Sequence, residues 1–174
     1  MIKSDSLIAR SSNGRTADSE SAYFGSNPNW AAKNMIERFP KICISILVIK
    51  DKKFLLGLLT KKWEYLGKQV YGVPGRDIKF REKIGDAIKR NIKDEIGCAV
   101  IKYKIIAVNA NYAFDNHFIG IGVTAKIEGT PKLLKPGDWE KWEWFDMNKI
   151  PKNLFPDAEN VITCYKKKKF IVAE

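Results

Sequence analysis

Between Pro74 and Gly97 the chain sets a turn-forming Pro-Gly pair ahead of a stretch in which Ile84, Ile88, Ile92 and Ile96 recur every four residues, with Ala87 beside them. That spacing predicts an amphipathic helix over Glu82–Ile96, ended by Gly97. Glu95 stands eleven residues after Ile84, about three helical turns, so its carboxylate projects in line with the apolar stripe. A carboxylate placed there needs a cation. Asp94 adjoins it and Asn91 sits one turn earlier, so three oxygen-bearing side chains are expected to share one arc of the helix. Two anions that close repel unless a divalent ion or an arginine lies between them. Arg90 is expected to pair with Glu82 or with one of the helix acids. Acids and bases along a helix also make an ordinary solvated face, and it is the loop in front that favours a site.

Around this segment the pattern is that of a sheet protein. Lys41–Lys50 and Phe54–Thr60 read as apolar strands joined by the turn-like Asp51-Lys52-Lys53, and Tyr71–Gly75 as a short strand running into the breaker. Val100–Asn109, His117–Ile127 and Trp142–Phe145 are expected as further strands, and Ala158–Lys168 as a closing helix. The run Lys166–Lys169 suits the negative pole of that helix.

The first 34 residues are rich in Ser, Asn, Gly and Asp and show no sustained period, so a disordered tail at 1–34 is expected ahead of a domain at 35–174. Gly25-Ser26-Asn27-Pro28 is what GGTTCGAATCC encodes, similar to the T-arm of a transfer RNA gene, and Asn13–Ala17 resembles a translated D-arm. Translation is therefore expected to start at Met35, with upstream nucleotides that fold into a cloverleaf.

With 45% hydrophobic and 29% charged residues in 174, the chain is expected to form one globular domain plus the tail, and general disorder is excluded. Cys43, Cys98 and Cys164 form neither a CxxC pair nor an even-numbered framework and are read as reduced, buried thiols of a cytoplasmic protein. A net charge of +11 favours anionic partners, from nucleotides to RNA. An AT-rich coding sequence gives the same lysine-heavy balance without any such partner. No apolar run approaches the roughly 18 residues that span a bilayer, so no membrane association is expected.

The segment from Gly75 to Gly97 resembles a Nudix box, G-x5-E-x7-R-E-U-x-E-E-x-G-U with U aliphatic. With Arg76 in the first position, Glu82, Arg90, Ile92, Glu95 and Gly97 fall on their places without a gap, and Asp94 replaces the middle glutamate. Gly75 matches the loop glycine whose carbonyl helps bind the metal in relatives. Arg76 stands where the pattern has glycine, and Asn91 where it has the glutamate after arginine. Farther on, Lys135–Phe145, Ile150-Pro151 and Asn153–Pro156 are similar to the E-P-E-K-C-E-x-W-E-W-F…L-P…L-F-P stretch of MutT-like nucleotide-cleaving members. The likeness spans about residues 38–165.

The resemblance implies an α/β (α+β) fold, a mixed β-sheet sandwiched between helices in α-β-α layers. It further implies Mg²⁺- or Mn²⁺-dependent hydrolysis of a nucleoside diphosphate linked to another moiety, a nucleotide or nucleotide sugar. By position, Glu95 is the principal metal ligand with Asp94 and the Gly75 carbonyl, Glu82 a supporting acid, and Arg90 the residue that orients the helix carboxylates. Asn91 carries no charge and takes no proton. Some branches, such as the GDP-mannose hydrolases, also lack that glutamate and draw a base from another loop. Here the candidates are Glu140, Asp138, Asp115 and His117. Arg76 is expected to grip a substrate phosphate or to occupy the metal's place. Trp139 is the candidate base contact, ahead of Trp63, Tyr65, Tyr71 and Trp142. Relatives suggest a homodimer. The alternative function is an impaired Nudix module that binds a nucleotide without hydrolysing it.

Overall fold

In Lys41–Lys50 the apolar side chains are successive, not alternate, which is the pattern of a strand covered on both faces. The segment forms β1 in the computed structural model, which describes residues 39–174 apart from 114, 115, 169 and 174. The expected tail at 1–34, the start of the expected domain at Met35 and the candidate base Asp115 lie outside the described residues. Asp51 and Lys52 take left-handed φ angles of 48° and 60°, a pair suited to a tight hairpin turn. They return the chain into β2, Lys53–Leu59.

Next come β3 (Tyr71–Gly72), α1 (Ile84–Ile96), β4 (Ala99–Ala113), β5 (Asn116–Glu128), β6 (Trp139–Asp146), α2 (Pro156–Lys167) and β7 (Ile171–Ala173). The sheet is mixed, in the order β3-β2-β1-β5-β4-β7, with β6 paired to β2. β1 runs parallel to β5 and β4 antiparallel to it, while β2 is antiparallel to β1, β3 and β6. Ile44, Ile46 and Val48 of β1 and Leu55 of β2 pack under Ala87, Ile88, Ile92 and Ile96 of α1. The intervening Leu47, Phe54 and Leu56 pack under Ala158, Val161 and Ile162 of α2. One strand pair thus supplies a floor to each helix, which gives the α-β-α layering. Residues from Pro40 onward form one compact unit. Among the described residues no helix is long and apolar enough to cross a membrane.

α1 ends as expected, with Gly97 at φ 71° and its N–H on the Lys93 carbonyl. Its start differs. Arg81 takes φ 62°, and the Glu82 carboxylate accepts from the Lys79 N–H, so the helix begins at Ile84 and the first isoleucine of the stripe is left 38% exposed. β6 begins at Trp139, ahead of the expected Trp142, because a register shift at Leu58/Leu59 carries its pairing with β2 that far. α2 begins at Pro156, whose fixed φ suits a first helical position. β7, paired with β4, has no counterpart among the expected elements.

Candidate active site

β1 and β2 pair directly only at Ile49–Phe54 and Lys50–Lys53, so the edge of β1 nearer its start needs another partner. The loop after Val73 supplies it. Ile46 N–H donates to the Pro74 carbonyl at 2.8 Å, Ile44 N–H to that of Arg76 at 2.9 Å, and Ile78 N–H to that of Ile42 at 3.1 Å. Between them Gly75 sits at φ 143°, and a Cβ there would lie 1.9 Å from the Ile44 carbonyl oxygen. Only glycine fits both the dihedral and the approach.

The N–H of Gly75 donates to Glu95 Oε2 at 3.2 Å. Glu95 is 1% exposed, the deepest acid of α1, and its other oxygen faces Lys135 Nζ at 3.7 Å. Burial pushes its carboxyl up to about 7 against the pull of Lys135, the Gly75 N–H and Arg76. Across the mouth, Arg76 donates to Asp138 Oδ2 at 3.0 Å and the Trp63 indole N–H to Asp138 Oδ1 at 3.0 Å. Asp138 and Lys135 share one turn, in which the Asp138 and Trp139 N–H groups both donate to the Lys135 carbonyl. That turn is tied to β2 by Thr60 N–H to the Asp138 carbonyl and by the Thr60 hydroxyl to that of Gly137.

Arg90 meets the expected Glu82 through two guanidinium nitrogens, at 2.6 and 2.7 Å, and also donates to the Asp77 carbonyl at 2.9 Å. Such a fork fixes geometry as well as charge. It ties the 77–82 segment to the middle of α1. The Arg90 hydrogen bonds, followed by that from the Lys79 N–H, hold the Glu82 carboxyl down at about 2 from its ordinary 4.5. A depressed carboxyl stabilises the fold above its unfolded pKa and loses that contribution as pH falls through the folded one. The melting gap between wild type and Arg90→Met should therefore be full above pH 4.5 and close on the way down to about 2. A gap that stays constant in thermal melts across that window would remove the pair from the account.

A cavity of about 540 Å³ is lined by Gly75, Arg76, Glu95 and Asp138 together with Cys43, Ser45 and Asp157. The volume suits a ligand of nucleotide size. Burial raises both the Asp157 carboxyl and the Cys43 thiol, the latter to about 12, which disfavours the reactive thiolate at Cys43. Trp139 lines the cavity, 6% exposed, with Trp142 packed on it at 4.4 Å between ring centroids. Gly57 makes the room, since a Cβ there would meet both indoles at 2.6 Å. Trp63 also lines the cavity, whereas Tyr65, Tyr71 and Trp142 do not.

Glu82 and Arg90, paired with each other, do not line the cavity, and three further expected site residues sit elsewhere. Asp94 is exposed and does not line the cavity: adjacent helical positions point about 100° apart, so the turn that buries Glu95 sends Asp94 outward. The shared arc expected of Asp94, Glu95 and Asn91 is thus a shared face for Asn91 and Glu95 only. Glu140 is exposed and off the cavity, because alternation along β6 turns in Trp139 and turns out its neighbour. His117 stacks on Tyr112 at 4.7 Å and lines no part of the cavity, while its neighbours Asn116 and Phe118 do. Among the described residues no three His, Cys, Asp or Glu side chains converge as a metal-binding group. The positions that sequence reasoning passed over are Lys135 and Asp157. Lys135 carried no signal, being brought in from a distant loop. Asp157 follows the Phe-Pro pair that opens α2, a usable cue.

No protein-family model matches the chain. Its fold is similar to that of a MutT Nudix hydrolase from Burkholderia pseudomallei, with a TM-score of 0.64 at 19% identity over 72% of this chain and 98% of the other. It is likewise similar to an ADP-ribose pyrophosphatase from Streptococcus suis, with a TM-score of 0.57 at 15% identity over 78% and 98%. In sequence the chain is 30% identical over 129 residues to the ADP-ribose pyrophosphatase of Methanocaldococcus jannaschii, covering 72% of this chain and 73% of the relative. The chain belongs to the Nudix hydrolases.

Nudix hydrolases generally use divalent metals, and the donors present in this member fit a hard cation in kind. Among the described residues Asn91 Oδ1 is a buried acceptor with no hydrogen-bond partner, its Nδ2 being committed to the Ala87 carbonyl at 2.9 Å. Glu95 lies one turn along the same helix face, beside the backbone of Gly75. These are oxygen donors of the sort Mg²⁺ takes. In charge the set is lean, because Lys135 faces Glu95 and Arg76 faces Asp138.

Proposed function

We propose that this Nudix hydrolase cleaves a nucleoside diphosphate linked to another moiety, with ADP-ribose as the first candidate, and that it uses Mg²⁺ or Mn²⁺. The observation that carries this reading is Glu95, a buried carboxylate against the Gly75 N–H in the wall of a nucleotide-sized cavity. Glu95 and the Gly75 carbonyl would hold the ion, with Asn91 Oδ1 as the buried oxygen one turn earlier on the same helix face and Asp94, turned outward, left out of the set. When bound, such an ion neutralises diphosphate charge and lowers the pKa of an attacking water.

The chain's own side chains do the rest. Arg76, half-exposed at the mouth, swings from Asp138 to a phosphate oxygen, which its planar fork suits. Asp138, released, takes a proton at Oδ2 from the attacking water. Oxygen bonds to one phosphorus and the bridging P–O bond breaks, leaving a nucleoside monophosphate and the phosphorylated remainder. Arg90 and Glu82 are positioning residues that hold the loop against α1. Trp139 and the cavity wall exclude water from the base end.

Binding without hydrolysis is favoured by one observation, the pairing of Asp138 with Arg76 and of Glu95 with Lys135. Incubating the full chain and Mg²⁺ with ADP-ribose, nucleotide sugars and nucleoside triphosphates, and resolving the products, separates the two. Monophosphate from any of them supports hydrolysis. Ligand-dependent thermal stabilisation with no product supports the binding module.

A further inference from the structure

Lys135 sits in an unusual place for a lysine. Its backbone is fixed by the turn that also fixes Asp138, and Lys132 N–H donates to the Ile96 carbonyl at 2.9 Å, lashing the same segment to the C-terminal end of α1. Leu134 covers Gly97, where a Cβ would meet it at 3.3 Å. The ammonium therefore reaches Glu95 from a rigid support, at 3.7 Å, with the lysine side chain 27% exposed and the carboxylate 1%. Beside it, Arg76 holds Asp138. The mouth carries two cations and two anions in alternation.

In that arrangement each acid a metal would need is already satisfied, and each cation a phosphate would need is already spent. We propose that Lys135 is a diphosphate-binding residue which, with no substrate present, serves as the counter-ion of Glu95 and closes that carboxylate to a divalent cation. A diphosphate entering the mouth offers several oxygens to Lys135 and Arg76 together. As they move to it, Glu95 and Asp138 are left without their partners, and the site gains the negative charge that draws in the metal. Substrate and ion thereby assist each other's binding, a reciprocal coupling. The inference rests on the proposed reading of the site as a diphosphate site.

The test uses the full chain and two binding measurements, neither of which involves turnover. Mn²⁺ affinity without substrate is read from the electron paramagnetic resonance of the free ion, and ADP-ribose affinity is read calorimetrically in EDTA. Removing a cation this near a buried carboxylate should tighten Mn²⁺ binding about tenfold in Lys135→Met. The gain should vanish in the Lys135→Met, Glu95→Gln double variant. ADP-ribose binding in EDTA should weaken by a similar factor. Lys135→Arg, which keeps the charge, should stay close to wild type in both and controls for folding. Unchanged or weaker Mn²⁺ binding by Lys135→Met, a gain that survives loss of Glu95, or undiminished ADP-ribose affinity would overturn the proposal. Hydrolysis of ADP-ribose alongside an indifferent Lys135→Met sinks this inference alone. Tightened Mn²⁺ binding with no substrate cleaved keeps the counter-ion and sinks the hydrolase.

Discussion

Glu95→Gln is expected to hydrolyse nothing measurable and, above pH 7, to melt at a higher temperature than wild type. The loss follows from the proposed role, since removing a side chain that holds the ion or moves a proton costs on the order of 10²–10⁴ in rate. The gain follows from burial. Glu95 is 1% exposed, and its carboxyl is raised from 4.5 to about 7, so the fold prefers the protonated acid. For a carboxyl shifted upward, stability is fully present below the unfolded pKa and is lost as pH rises through the folded one. Measured in EDTA, wild type should therefore surrender stability between pH 4.5 and about 7, on the order of 3 kcal/mol in all. The glutamine variant, always neutral and still able to accept from Gly75 N–H, should not. Lys135, left unpaired, has water within reach. Equal rates in the two proteins would take Glu95 out of the reaction, and a melting gap that does not open over this window would take burial out of the explanation.

Gly75→Ala should be the most damaging added methyl group among the described glycines. A Cβ at that position lies 1.9 Å from the Ile44 carbonyl oxygen, and φ is 143°. Backbone strain of this kind alone costs about 1–3 kcal/mol, and here the obstacle is the backbone of a central strand, which does not yield as the tip of a side chain does. A total near 4 kcal/mol, in the range of the severest point mutations, is expected in urea denaturation, together with loss of activity. Gly67 makes the comparison fair, because it also has a left-handed φ, 69°, but nothing lies within 4 Å of its would-be Cβ. Gly67→Ala should cost about 1 kcal/mol and leave activity intact. Equal costs at the two glycines would mean that the dihedral, not the contact with β1, sets the penalty.

The sequence carried the helix and its terminus because both are local. The isoleucine period and Gly97 are read within one segment, and the Arg90–Glu82 pair spans only eight residues. The strands of β1 and β2 were equally plain, being apolar runs around a short charged turn. Asp94 and Glu95 mark the limit of adjacency, since neighbours on a helix point about 100° apart and only Glu95 turns inward. Glu140 shows the matching limit in a strand, where the residue after an inward Trp139 points away. What no local pattern carried was the ring of countercharges. Lys135 meets Glu95 across 40 positions, and Arg76 meets Asp138 across 62, and such meetings are decided by sheet order and by the turn pinned to Thr60.

The lashing of Pro74, Arg76 and Ile78 along the edge of β1 divides the cavity wall into two kinds of material. One side shares its hydrogen bonds with the innermost strand, so a residue inserted or deleted there would throw the whole ladder out of step. The other side, where the segment before β3 brings in Trp63, hangs on a few anchors such as Thr60 and tolerates changes of length. Descendants of this chain that come to accept a different leaving group would be expected to alter that second side, while the first is inherited unaltered.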